Sequence, residues 1–430
     1  MIKAPRGTND ILPPESHKWI YLEGLLGRLS RVYNFEEIRT PMFEHTELFS
    51  RTVGETTDIV QKEMYTFQDK GKRDLTLRPE GTAPVVRAFL ERGLDSGALP
   101  KKLFYLGPMF RYEKPQAGRY REFRQYGVEI LGSGSPYSDV EAILLGIRIA
   151  EELGLLGTTL FINTIGCPVC REKHKEDLIK HLSDKASNLC PDCQSRLGKN
   201  PLRVLDCKNP ACRQVTGDVP SIHDYLCCDC KEHWEALKQL LTSMGLEYSV
   251  DHALVRGLDY YTKTVFELKW PPLGAQDTII GGGRYDGLVE DLGGKPVPGV
   301  GFALGLERLL LASDKGERPI EPGVYLDCFV VTPESEDESR SREIMERGFH
   351  LLNDFRSLGL SCDFDPLRRS IRAQMKHANR LNARYVAIFG EEELKKNKVA
   401  IRSMEHGWQK EVELERVLGF MKEEVSGGSD

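Results

Sequence analysis

Residues 102–132 read KLFYLGPMFRYEKPQAGRYREFRQYGVEILG. Two runs dense in aromatic and branched residues flank a polar loop carrying a proline and a glycine. That pattern predicts two strands joined by an excursion rather than a helix. Alternate side chains on a strand share a face. Arg111 and Glu113 are therefore expected to point together as the first strand runs into the loop, and Gln125 and Glu129 together on the second. A guanidinium beside a carboxylate suits a ligand that carries both a phosphate and an amine donor.

Working outward, MYTFQD (64–69) and LTLRPE (75–80) are further strand-like runs, and FEEIRTPMFE (35–44) suggests a strand with Pro41 at an edge or bulge. Trp19, Leu22, Leu26, Leu29 and Tyr33 recur at helical spacing over 16–33, and helix-like stretches occupy 83–92 and 139–153. Strands and helices are grouped rather than strictly alternating. The expected class is α+β, built on an antiparallel sheet. Strand patterning resumes at 262–269 and 278–280. A glycine-rich turn is expected at Gly281–Gly283, and an apolar helix after Gly305. Residues 312–323 have linker composition. Beyond them strands and helices alternate, which predicts a separate small α/β domain with a mixed sheet over 325–430.

The chain has 430 residues, 29% charged and 40% hydrophobic, with a net charge of -6. Two to three domains and an ordinary core are expected. A net negative body excludes bulk charge as a route to nucleic acid, so any RNA-binding face must be a local basic patch. Arg368, Arg369, Arg372 and Lys376 form one such cluster. The start of the chain lacks a secretory h-region, and no apolar run is long enough for a membrane span.

Three more stretches concentrate polar chemistry among apolar neighbours: Arg78-Pro79-Glu80-Gly81-Thr82, Leu254-Val255-Arg256-Gly257-Leu258-Asp259-Tyr260-Tyr261, and GGGRYD (281–286) followed by PGVGFALGLERLLL (298–311). Arg308 in this last run is costly unless something pairs with it, and a guanidinium can stack on an aromatic base.

In order along the chain, these stretches resemble the class II aminoacyl-tRNA synthetases, and within them the histidyl-tRNA synthetase family. The segment ending at Pro41 resembles motif 1, the dimer-forming element. FRYE with REFRQ resembles motif 2, and GVGFALGLERLLL motif 3. LVRGLDYYTKTVFE and GGGRYDGLV resemble the two peptides peculiar to the family. The resemblance implies a class II antiparallel catalytic domain (1–165 and 255–315), interrupted by a helical insertion (166–254), and an anticodon-binding domain (325–430). It implies a cytoplasmic homodimer that activates L-histidine with ATP and Mg²⁺ and passes it to the 3′ end of tRNA(His). Arg111 and Arg256 would hold the α-phosphate from opposite sides, Glu113 the adenine amine, and Arg308 would stack on the adenine. Glu80, Gly81, Thr82, Gln125, Glu129, Tyr260 and Tyr261 would line the histidine pocket. The alternative is the synthetase-like regulatory subunit of ATP phosphoribosyltransferase. Against it stand the C-terminal domain and the retained Arg111, Arg256 and Arg308.

Nine of the 11 cysteines fall in 166–254. Cys167/Cys170, Cys190/Cys193 and Cys227/Cys230 are C-x-x-C pairs, and two such pairs complete a tetrahedral Cys₄ zinc site. Only 19 residues separate Cys170 from Cys190, so Cys167, Cys170, Cys190 and Cys193 are the expected ligands of one structural Zn²⁺. Cys227/Cys230 could replace either pair, Cys207, Cys212 and Cys228 are further candidates, and the other reading is a set of reduced thiols.

Overall fold

The computed structural model describes residues 2–54, 57–274, 276–321 and 326–426. The tail beyond residue 426 and the expected first residue of the C-terminal domain lie outside these ranges. The chain divides into two compact units, Met1–Ile320 and Glu321–Asp430.

In the first unit, β1 (Glu36–Glu37) is followed by β2 (Phe43–His45), β3 (Tyr65–Gln68) and β4 (Asp74–Leu77), which pair in the order β2-β4-β3. β5 (Lys101–Phe110), β6 (Glu122–Leu131), β7 (Thr159–Thr164), β8 (Tyr248–Val250), β9 (Thr262–Lys269), β10 (Thr278–Arg284) and β11 (Gly299–Gly305) join β1 in an eight-stranded sheet. Its order is β1-β5-β6-β11-β10-β9-β7-β8. The sheet is antiparallel except at its two edges, where β1 runs parallel to β5 and β8 parallel to β7. This is the α+β antiparallel architecture that the grouping of strands predicted.

One face of the sheet is closed by the helices Glu15–Val32, Pro136–Glu152 and Leu306–Ser313. Leu22, Leu26, Ile143, Ile149 and Leu309 pack there with Phe266 and Phe302. The helix Cys228–Ser243 joins them: its Trp234, Leu237 and Leu241 belong to the same core, although all three lie inside the cysteine-rich stretch. β8 comes from that stretch too. The helices between residues 168 and 216 instead pack around a smaller core of Leu178, Leu182, Val204 and Val215. The linker-like segment is partly folded onto the first unit: the Ile320 N–H donates to Ser313 Oγ at 3.1 Å, and Ile320 is buried.

Two local expectations differ. Gly281–Gly283 is no turn but the middle of β10, paired on both sides. The glycines serve there as absent side chains: a Cβ at Gly281 would come within 2.3 Å of the Arg256 guanidinium. β5 ends at Phe110, so Arg111 and Glu113 lie just past the strand. They stay close through the turn, with the Glu113 N–H donating to the Arg111 carbonyl at 2.8 Å.

The second unit carries β12 (Leu326–Val331), β13 (Cys362–Phe364), β14 (Ala383–Ile388), β15 (Lys398–Ser403) and β16 (Gln409–Glu413), ordered β13-β12-β14-β15-β16. The first three strands are parallel and the last two antiparallel, the mixed sheet expected from the alternating pattern. Strands β12 and β14 are buried apolar runs because helices cover both faces. Ile344, Leu352 and Phe355 pack on one face, and Ala378 with Met375 on the other.

Candidate active site

Opposite the helical layer, the sheet floors a cavity of about 250 Å³ that opens to solvent. Its walls hold Glu80, Thr82, Arg111, Glu113, Gln125, Glu129, Arg256, Tyr260, Tyr261 and Arg308. Gly81, between Glu80 and Thr82, is not among the lining residues; it is pressed so close to Tyr105 that a Cβ would fall 2.2 Å from the ring.

At one end the polar groups are buried and tied to one another. Glu80 accepts from the N–H groups of Thr82 (2.7 Å) and Ala83 (2.8 Å), and so satisfies the first turn of the helix Thr82–Glu91. Thr82 Oγ1 donates to Glu129 Oε1 at 2.7 Å, and the Tyr285 hydroxyl donates to Glu129 Oε2. Tyr105 donates to Gln125 Oε1 at 3.2 Å. Gln125 and Glu129 share a face of β6, as alternation required. Gly301 lies opposite Glu129 in the ladder, where any Cβ would sit 2.2 Å from its carboxylate. Burial pushes the Glu129 carboxyl up to about 8, against the pull of the Tyr285 and Thr82 hydroxyls. Burial also raises Tyr105, Tyr260, Tyr261 and Tyr285, which stay neutral phenols able to donate. The result is a closed socket of carboxyl and phenol groups, fit for a small ligand with two nitrogens.

At the open end sit the cations. Arg111 Nε donates to the Pro79 carbonyl at 2.8 Å, its Nη1 lies 3.8 Å from Glu113, and its guanidinium is 5.3 Å from the Phe123 ring centroid. Arg256 is fixed by Glu267, and its Nε, though buried, has no partner among the described residues. Arg308 donates to the Thr278 carbonyl and to Gln276 Oε1, both at 2.9 Å, which relieves the cost of its place on an apolar helix. Arg119, 3.4 Å from Glu113, lines the cavity too, and four guanidinium groups on one cleft make a polyanion site.

Sequence reasoning missed Tyr105 and Tyr285. Tyr285 lies in a stretch already singled out, next to Arg284. Neighbouring residues leave β10 on opposite sides: Tyr285 enters the cavity, whereas Arg284 is fully buried behind it, bonded to Asp139. Burial alone would raise Asp139, yet Arg284 and the His233 hydrogen bond hold its carboxyl down at about 2. Tyr105 faces Gly127 across the β5–β6 ladder, and that tyrosine–glycine pairing was the available signal.

The cysteines require a correction. Cys167/Cys170 and Cys190/Cys193 do not share a site. They belong to two clusters: Cys167, Cys170, Cys227 and Cys230 in one, and Cys190, Cys193, Cys207 and Cys212 in the other. Nearness in sequence misled, because the helix Pro168–Ser183 carries the chain away between the two pairs. In the second unit, Arg368, Arg372 and Lys376 are exposed, while Arg369 is tied to buried Asp365 at 2.6 Å.

Among known proteins, a family model described as histidyl-tRNA synthetase matches residues 7–309, and one described as an anticodon binding domain matches 327–424. A histidine–tRNA ligase of Halothermothrix orenii is 51% identical over 424 residues, covering 99% of this chain and all of that one. One of Moorella thermoacetica is 50% identical over 429 residues, covering both chains in full. The crystal structure of apo S. aureus histidyl-tRNA synthetase superposes with a TM-score of 0.83 at 41% identity, covering 98% of this chain and all of that one.

Proposed function

The chain belongs to the histidyl-tRNA synthetase family, and we propose that the cavity on its large sheet is where histidine and ATP react. It is a histidine–tRNA ligase. It joins L-histidine to ATP, releasing pyrophosphate, and transfers the histidyl group to the 3′ end of tRNA(His). The regulatory-subunit alternative is disfavoured, since identity near one half to such ligases runs through both units.

In the first step the histidine carboxylate attacks the α-phosphorus and pyrophosphate departs. No protein nucleophile or base is called for, so the work is positioning and charge stabilisation. Arg111 and Arg256 are the groups placed to take up charge on the α-phosphate oxygens. Arg256 is held in place by Glu267. Glu113, beside Arg111, is suited to the adenine amine, and Arg308 to stacking on the adenine face. Glu113 and Glu307, both on this cavity, are oxygen donors of the type Mg²⁺ takes alongside phosphate. When bound with ATP, the ion offsets phosphate charge. Glu80, Thr82, Gln125, Glu129, Tyr260 and Tyr261 form the histidine socket, with Gly81 giving the close approach to Tyr105.

The observation that carries this reading is the joining, in one cavity, of four arginines with a buried carboxyl–phenol socket. The 325–430 domain would read tRNA, with Arg368, Arg372 and Lys376 free for phosphates. Met42, Phe43 and Phe67 expose an apolar patch beside the motif 1 segment, suited to a second copy of the chain in a cytoplasmic homodimer. The cysteine clusters suit structural zinc. ATP–pyrophosphate exchange with each of the twenty amino acids tests the reading. Histidine-dependent exchange is expected, and exchange with another amino acid but not histidine would overturn it.

A further inference from the structure

Eight of the nine cysteines between residues 166 and 230 gather into two four-sulfur clusters, in each of which all four sulfurs lie within 4.8 Å of one another. Cys167 is 3.5 Å from Cys170 and 3.9 Å from Cys227, and Cys190 is 3.9 Å from Cys207. A disulfide would need about 2.05 Å. Four thiolates about 2.3 Å from a tetrahedral zinc stand roughly 3.8 Å apart, and these three distances lie close to that. Cys167, Cys190 and Cys227 each cap the helix that carries the second cysteine of the pair. The Cys227 N–H donates to Cys170 Sγ and the Cys190 N–H to Cys212 Sγ, both at 3.2 Å, as outer-shell donors to thiolates do.

The packing needs such a link. Around the first cluster the buried apolar group comprises only Cys170, Ile222 and Cys230, so two of its three members are the cysteines themselves. The second cluster contributes Cys193 and Cys212 to a group of eight. Cores this small supply little folding energy alone.

Each cluster also abuts the loop that carries Arg256, Tyr260 and Tyr261. Next to Cys170, Arg171 donates to the Tyr261 carbonyl at 3.1 Å. Beyond Cys193, Asn200 Nδ2 donates to Asp259 Oδ1 at 2.7 Å, and Arg203 donates to the Gly257 carbonyl at 3.3 Å.

We propose that the protein holds two separate structural zinc ions, one on Cys167, Cys170, Cys227 and Cys230 and one on Cys190, Cys193, Cys207 and Cys212. Together they brace the 256–261 loop. Each ion displaces the thiol protons of its ligands to solvent, with no change of oxidation state. The bracing rests on the active-site reading above; the metal content does not.

Elemental analysis of the purified full-length protein should find about two zincs per chain. Cys212→Ser and Cys230→Ser should each leave about one. Mercurial titration of the unmutated protein should release both zincs as eight thiols react, a readout that does not depend on a variant folding. Metal-free protein, iron in place of zinc, or one zinc per chain in the unmutated protein would overturn the two-site assignment. Cys212→Ser should raise the histidine KM several-fold while tRNA-independent exchange keeps its ATP KM. One zinc with an unchanged histidine KM in this variant would retain the sites and refute the bracing.

Discussion

Replacing Tyr285 with Phe removes one oxygen from the floor of the proposed histidine socket and leaves the ring in place. The ring is buried, packs 5.7 Å from Tyr260 in an edge-on contact, and fits against Gly299, where a Cβ would fall 2.3 Å from it. The fold should therefore persist. What is lost is the donor to Glu129 Oε2. Thr82 continues to serve Oε1, but Oε2 then faces Gly301 with no hydroxyl. A hydrogen bond to a charged group in such a site contributes about 1.5–3 kcal/mol. The loss raises Glu129 further above about 8 and spoils the carboxylate that would accept a ring N–H of histidine. Converted at 1.4 kcal/mol per tenfold, the histidine KM should rise about 10- to 150-fold. The ATP KM should stay within about twofold, since Arg111, Arg256 and Arg308 are untouched. Pyrophosphate exchange measured against each substrate in turn is the assay, with thermal unfolding as the control. An equal rise in both constants would place Tyr285 in general packing. An unchanged histidine KM would refute the assignment of Glu129 to the amino-acid socket.

Arg256→Ala should lower the activation rate by about 10²–10³, with a smaller change in histidine affinity, because the side chain acts on charge that develops at phosphorus; single-turnover adenylate formation checks it, and weaker histidine binding at unchanged turnover would contradict it. Arg284→Met should destabilise the first unit by about 3–5 kcal/mol in urea unfolding, because Asp139 would be left buried without its cation. Asp139 sits at about 2 in the folded state, below its unfolded value near 3.9, so its stabilisation is full above the latter and lost as pH falls through 2. The deficit of the variant should shrink over that descent, and a pH-independent deficit would point to packing instead. Free histidine loses its ring proton near 6.5, whereas Glu129 keeps its proton up to about 8. Between those values one proton is shared by the pair before and after binding. The histidine KM should be flat there and rise below about 6.5 as the ligand gains an extra proton; a steady fall in KM from 6.5 to 8 would show that Glu129 must ionise first.

The sequence alone determined the sheet and most of the socket. Strand alternation placed Gln125 and Glu129 on one face, and hydrogen-bonded ladders leave little freedom to change that. The ordered motifs, read through the family they resemble, named the arginines and tyrosines that the cavity brings together. Three things waited on tertiary structure. Gly281–Gly283 read as a turn because glycine breaks strands locally; the close approach of Arg256 at Gly281, of the Gly301 carbonyl at Gly282, and of the Thr264 carbonyl and Tyr261 at Gly283 explains why a strand there must lack side chains. Tyr285 and Tyr105 enter the socket beside glycines on neighbouring strands; the Tyr105–Gly127 pairing becomes a signal only once the β5–β6 register is set. The cysteines show the limit most plainly. C-x-x-C spacing identifies a pair, since one helical start brings two thiols together, but which pairs meet depends on how four helices cross. Here Cys170 joins Cys227 across 57 residues rather than its nearest neighbour Cys190. Local geometry is written in adjacent residues, whereas the meeting of distant ones is decided by the packing of everything between them.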